Sequence, residues 1–322
     1  MAQAFDQRYG EGTRLTHFVF PRGAYDNAER TNATHALTST DIAQPALGAV
    51  EVALLRLMRD LGLQADMLAG HSYGEFVALH AAGAIDFDTL MRLSALRGQS
   101  IIDAARAAGS ELGTMAAVRA QREEVVRAIA GIDDVIIANH NAPSQVVISG
   151  SRLGVEGATE ALAKAGLAVT PLPVAAAFHS RHVQPARQKF AAAIDAMDWC
   201  APRIPVYANI NGRPHAVEVE SLKQAMAEHL VHPVEFVSEI EQMYADGARV
   251  FVEIGPKAVL TGLTRRILGE QPHVAVALNK GNGMADLVIA FGQLLCARID
   301  LDVQAFFKGR ECRIADPAKL AS

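Results

Sequence analysis

The 322-residue chain is half apolar and one-fifth charged, with a formal net charge of −5. That balance describes a globular protein with one large core or two smaller ones, and it argues against nucleic-acid binding, which calls for a basic stripe. No basic-then-apolar leader opens the sequence and charges interrupt the apolar runs, so no membrane span is expected and the cytoplasm is the expected compartment. Cys200, Cys296 and Cys312 are far apart without CxxC spacing, which predicts buried or incidental thiols, neither disulfides nor zinc ligands.

Residues 1–40 read as polar and irregular, apart from a short apolar run at His17–Phe20. Helical spacing follows from Pro45 to Leu63, with Pro45 expected in the first turn, where its missing N–H is harmless. Met67–Ala69 reads as a buried strand, Glu75–Ala82 as a helix, and Asp86 as the cap of a helix reaching Ala107. From Gly113 the order becomes β-α-β-β-α-β. Strand GTMAAVRA and helix QREEVVRAIAG precede two strands, DDVIIANH and SQVVISG, joined by an Asn-Ala-Pro-Ser turn. Helix VEGATEALAKAG and strand LAVTPLPV complete a ferredoxin-like unit. This unit is expected over 113–174, inserted in an α/β-hydrolase-like large domain with a parallel sheet formed by 1–112 and 175–282. IPVYANING and RVFVEIGP read as buried strands of that sheet, and Gly262–Ile267 as a helix start. Residues 283–322 read as a C-terminal helix and linker.

The chemical signal is Gly70-His71-Ser72-Tyr73-Gly74 between the expected strand and helix. A serine on such a turn exposes its hydroxyl, the amide of Tyr73 faces the same space, and the helix N-terminus adds partial positive charge. A serine hydroxyl also needs a base within hydrogen-bond reach. Of the 11 histidines, His17, His35, His215, His229 and His273 lie in polar or irregular stretches and are expected to be solvated. His179, in PVAAAFHSRHVQPA, follows small residues where the chain re-enters the large domain, and is the candidate base. His182 could join it on a metal, but two histidines without a third ligand are a weak signal. Asp133, Asp134 and Glu156 fall in the insertion, so a Ser–His dyad fits better than a hydrolase triad.

GHSYGE, RGQ at Arg97, MAAV at Met115, IANHNAPSQVVISG, AAFHS, YANINGR and FVEIGPKAVLTGL occur in the order found in the malonyl-CoA:acyl-carrier-protein transacylase family. From Ala43 onward the chain resembles that family, which includes the acyltransferase domains of polyketide and fatty acid synthases. The region before Ala43 looks most like iterative synthases of the enediyne or polyunsaturated-fatty-acid kind.

The resemblance implies a transferase in which Ser72 takes an acyl group from a coenzyme A thioester and passes it to the phosphopantetheine thiol of an acyl carrier protein. His179 would act as base and acid, the backbone of Tyr73 as oxyanion donor, and Arg97 as the grip on the malonyl carboxylate. Asn141 would lie near the acyl pocket. Asp246 could orient the histidine, and Asn209 could either orient it or form a turn. The resemblance implies no permanently bound cofactor and no metal. Its expected partners are the carrier protein, the coenzyme A thioester and neighbouring synthase domains, with no nucleic acid and no membrane. Phe178 beside the base would crowd an α-methyl group and favour malonyl, although Ala176 departs from the pattern of either malonyl- or methylmalonyl-selecting domains. The family's glutamine-bearing GQGSQ motif is not found in this sequence, so either the sequence is truncated or that half of the oxyanion hole comes from elsewhere. Lys257 stands where a glycine is frequent. Two alternatives stay open: a serine hydrolase or thioesterase that clears acyl groups, and a catalytically impaired docking domain. Arg265-Arg266 would suit an acidic partner.

Overall fold

The computed structural model describes residues 12–21, 23, 26–108, 112–174 and 176–309; Cys312 and the end of the expected linker lie outside them. Helix α1 spans Leu15–Val19, α2 Asn27–Thr38 and α3 Thr40–Asp60. The reading of an irregular N-terminal region is thereby corrected. Asp26 accepts the Glu29 amide at 2.8 Å and caps α2, but that helix buries no residue. Lacking an apolar face, it leaves no periodic trace in the sequence. Pro45 is interior to α3, not in its first turn, because the helix extends back through Asp41, Ile42 and Gln44, all buried. That burial offsets the backbone bond proline removes.

Helices α4 (Gly74–Ala81) and α5 (Phe87–Ala108) follow, with Asp86 Oδ1 accepting the Thr89 amide at 2.7 Å at the start of α5. The inserted unit runs β1 (Thr114–Arg119), α6 (Arg122–Ala128), β2 (Val135–Ala142), β3 (Gln145–Gly150), α7 (Arg152–Lys164) and β4 (Ala168–Pro171). Its sheet has the order β2-β3-β1-β4 with antiparallel pairings, the ferredoxin-like arrangement. Strand alternation gives it two different faces. Ala116, Val118, Val146 and Ile148 pack on Val125 of α6 and on Val155, Ala158 and Leu162 of α7. Met115, Ala117 and Val147 turn the other way, against Phe178.

After a 3₁₀ turn at Arg181–Val183 come α8 (Gln184–Asp195), α9 (Val219–Glu228), α10 (Phe236–Ala245), β5 (Val250–Pro256), α11 (Val259–Leu268), β6 (Val274–Asn279), α12 (Met284–Cys296) and α13 (Val303–Phe307). Strands β5 and β6 pair in parallel. The other expected strands of the large unit are shorter than the sequence suggests. Leu68 and Val206 form a single parallel bridge, made by Leu68 N–H to Pro205 O and Tyr207 N–H to Leu68 O, both 2.9 Å. Leu287, Phe291, Leu294 and Phe306 of the last two helices share a core with Met58, Leu61 and Val276, so this end of the chain packs on the large unit. Cys200 and Cys296 are exposed and unpaired, so of the two expected readings, buried or incidental, they fit the incidental one. Among the described residues no helix is long and apolar enough to cross a membrane.

Candidate active site

Ser72 sits where the bridge at Leu68 ends and α4 begins, with φ of 50°. A non-glycine residue in this left-handed region is strained, as at the nucleophile turns of α/β-hydrolases. The two flanking glycines are not equivalent. A Cβ on Gly70 would stand 2.1 Å from the carbonyl carbon of Gly74, whereas one on Gly74 would meet nothing within 4 Å. Gly70 permits the close crossing of turn and helix.

Ser72 Oγ lies 2.9 Å from His179 Nε2, although 107 positions separate the two residues. His179 Nδ1–H donates to the main-chain carbonyl of His232 at 2.8 Å. That bond leaves Nε2 free to accept the serine proton. Burial depresses the His179 pKa well below its usual value, reinforced by His229 and Arg97 and opposed by the His232 carbonyl. The imidazole is therefore neutral at neutral pH, the form a general base requires.

Only the backbone of Tyr73 is left to face the site. Its ring is buried and its hydroxyl bonds Ser94 Oγ at 2.6 Å, while no hydrogen-bond acceptor for its amide is found among the described residues. That amide, next to the nucleophile at the head of α4, is available to an oxyanion. Arg97, on α5, is 2% exposed, and among the described residues its Nε and Nη2 have no hydrogen-bond partner. Burial pushes its pKa down to about 10, so it stays cationic. A buried guanidinium with unused donors calls for an anion. Asn141, on β2, accepts the His71 Nε2–H at its Oδ1 at 2.7 Å, which places it beside the Ser72 turn. Phe178 is half-buried, with its carbonyl held by Ser149 Oγ at 2.8 Å.

The residues expected to orient the base are corrected. Asp246 accepts the Tyr207 hydroxyl at 2.6 Å and the Gln242 amide at 3.0 Å, so its carboxylate is committed at the end of α10. Asn209 bonds the nucleophile turn, not the histidine: its Oδ1 accepts the Ser72 amide at 2.6 Å. The orienting group is the His232 carbonyl, which side-chain patterns do not reveal. His215 and His229, expected in solvent, are buried beside Glu75, at 5% side-chain exposure each. His215 Nε2 donates to Glu75 Oε1, and the His229 ring meets the edge of His179 with centroids 5.7 Å apart. Burial alone would raise the Glu75 pKa, but the facing His229 and His215 bring it down to about 2. Glu239, fully buried, is pushed well above the usual range by burial and by Glu75. Glu75 was missed, although a carboxylate on the apolar helix of GHSYGE is a signal that could have found it; Glu239 left no signal. His182 is bonded to Asp134 at 2.9 Å, and no metal-holding cluster occurs among the described residues. Lys257 takes φ of 71°, the conformation a glycine would adopt without strain.

The family model "Acyl transferase domain" matches residues 26–285. The chain is 38% identical to "Polyketide biosynthesis malonyl CoA-acyl carrier protein transacylase PksC" of Bacillus subtilis (strain 168), over 72% of this chain and 80% of that protein. It is 32% identical, over 89% of its length, to one large polypeptide of the polyunsaturated fatty acid synthase of Thraustochytrium sp. (strain ATCC 26185 / S-3). It spans only 10% of the length of that polypeptide. The crystal structure of the acyltransferase domain from the second module of the salinomycin polyketide synthase superposes with a TM-score of 0.82 at 30% identity, covering 96% of this chain and 70% of that one. With Ser72 hydrogen-bonded to His179 and the buried Arg97 arranged on that fold, the chain belongs to the acyl transferase domain family.

Proposed function

We propose that this chain moves a malonyl group from coenzyme A to the phosphopantetheine thiol of an acyl carrier protein, through an ester on Ser72. The observation that carries this reading is Arg97, buried with two unused donors. A planar guanidinium grips a carboxylate with parallel charge-assisted bonds. Malonyl has a free carboxylate and acetyl does not.

In the first half, His179 Nε2 takes the Ser72 proton as Oγ attacks the thioester carbonyl. The Tyr73 amide faces the resulting oxyanion. Collapse expels the coenzyme A thiolate, which takes the proton back from His179 and leaves as a thiol. In the second half the carrier thiol gives its proton to His179, attacks the ester, and the proton returns to Ser72. No resident cofactor or metal is required. The PksC relative, whose name gives malonyl-CoA and carrier protein as its substrates, supports this pairing.

The β1–β4 sheet supports a division into an inserted unit over 113–174, a large unit of 1–112 and 175–282, and a C-terminal helix and linker over 283–322. We place the reaction in the cytoplasm, within a larger synthase, where coenzyme A thioesters and carrier proteins meet. The hydrolase reading is not favoured, since a site for neutral acyl chains gains nothing from a buried cation.

The test is intact-protein mass spectrometry after mixing with malonyl-CoA. A malonyl adduct that disappears in Ser72→Ala is expected. An adduct retained in that variant, or equal loading of acetyl and malonyl, would sink the proposal.

A further inference from the structure

We infer that Asn209 is a positioning residue for the nucleophile: it holds the strained Ser72 turn from both sides, acting through the backbone and touching neither base nor substrate. The inference rests on the proposed role of Ser72.

The turn has a problem that any left-handed residue creates. Chain reversal at Ser72 takes neighbouring N–H and C=O groups away from regular pairing, and buried unpaired backbone groups are costly. Asn209 is 2% exposed and meets both. Its Oδ1 accepts the Ser72 amide at 2.6 Å, and its Nδ2 donates to the Gly70 carbonyl at 2.6 Å. One side chain thus bridges the residues on either side of His71, much as a neighbouring strand would. Donor and acceptor fix which way the amide faces.

The second amide hydrogen goes to Glu239 Oε2 at 3.1 Å. Glu239 is fully buried, and burial together with Glu75 raises its pKa well above the usual carboxylate value. The Asn209 backbone is held as well, its N–H donating to Glu75 Oε2 at 3.1 Å and its carbonyl accepting the Glu235 amide at 2.7 Å. Every polar group of Asn209 is therefore engaged. Ser72's own amide is consumed by this bridge, so the next amide, that of Tyr73, is the one left for an oxyanion.

The experiment uses a fluorophosphonate, which phosphonylates an activated serine and requires no acyl donor. Two quantities are read: the fraction of Ser72 labelled and the rate constant of labelling. Asn209→Ala and Asn209→Asp are expected to slow labelling by roughly 10- to 100-fold, the scale of a misplacement near 1 Å, with the labelled fraction unchanged. Asp at this position keeps the shape and the acceptor but loses both donors. Pairing Asn209→Asp with Glu239→Gln restores a donor opposite it and is expected to recover part of the rate.

A lower labelled fraction at unchanged rate constant would mean that Asn209 merely stabilises the fold, and overturns the inference. So would an unchanged rate constant, or a double variant no faster than Asn209→Asp. A wild-type serine inert to the probe also overturns it. A wild-type serine that reacts with the probe but does not load malonyl defeats the proposed function and leaves this inference standing.

Discussion

The proposed nucleophile and the proposed base are mounted in opposite ways. Ser72 is anchored within the large unit, by Asn209 with Glu75 and Glu239 behind it. His179 is anchored at the seam with the inserted unit. Ser149 of β3 holds the carbonyl of Phe178, and Asp134 holds Arg181 and His182 just beyond it. The orienting carbonyl of His232 belongs to a segment paired with β2: His140 N–H donates to Val234 O and Val234 N–H to Ala138 O, both 2.8 Å. Arg122 of α6 bonds Glu235 at 2.6 Å in the same segment. The inserted unit therefore fixes the base more than it fixes the nucleophile. Its docking on the large unit sets the distance between the two.

The largest effect expected is from His179→Ala, which removes the proton acceptor and should lower Ser72 acylation by about 10²–10⁴-fold, read as the rate of adduct formation by mass spectrometry. Arg97→Ala should come next. It should cost malonyl-CoA about 10²–10³-fold in kcat/KM, on the scale of one or two charge-assisted hydrogen bonds, and leave acetyl-CoA nearly unchanged. The same variant should move the pH profile. In the wild type the acid limb of kcat/KM should fall below pH 6.5, because His179 is depressed from that value. Loss of the Arg97 charge raises the imidazole, so the limb should shift upward.

Glu239→Gln separates the support of the nucleophile from that of the base. The folded state raises the Glu239 pKa above its usual 4.5, so it binds this proton more tightly than the unfolded chain does. Its relative stability is greatest below pH 4.5 and falls as pH rises toward the folded value. Gln does not titrate. The variant should therefore gain on the wild type between about pH 5 and pH 8, measured by urea unfolding at both. The smallest effect belongs to the seam. Asp134→Ala breaks a partly exposed contact with Arg181 and His182 and should slow acylation about two- to fivefold, within the ~1 kcal/mol of an exposed ion pair. A change of that size in acylation, without change in fluorophosphonate-labelled fraction, would tie the inserted unit to the base.

Much of this arrangement was legible in the sequence because it is local. Alternation marked β1–β4 and their helices, and GHSYGE marked the turn and the amide of Tyr73. Arg97 was legible only through resemblance, since nothing local distinguishes a buried arginine from a solvated one on α5. The remainder comes from distant contacts. Asn209 meets Gly70 across 139 positions, and no spacing rule connects them. His215 and His229 sit in polar stretches yet are buried, because Glu75 provides the partner that polarity alone would have sought in water. Helix α2 escaped because periodicity reports burial, and α2 buries nothing.

The partner of His179 Nδ1 is a peptide carbonyl, which has a consequence for anyone scanning this protein by replacement. Every residue retains that oxygen, so an alanine series would pass across position 232 without deleting it and would report a two-member site. Only a shift in the path of the main chain can remove it. Pro233 and the hydrogen-bonded Val234, immediately downstream, are where such a shift would begin.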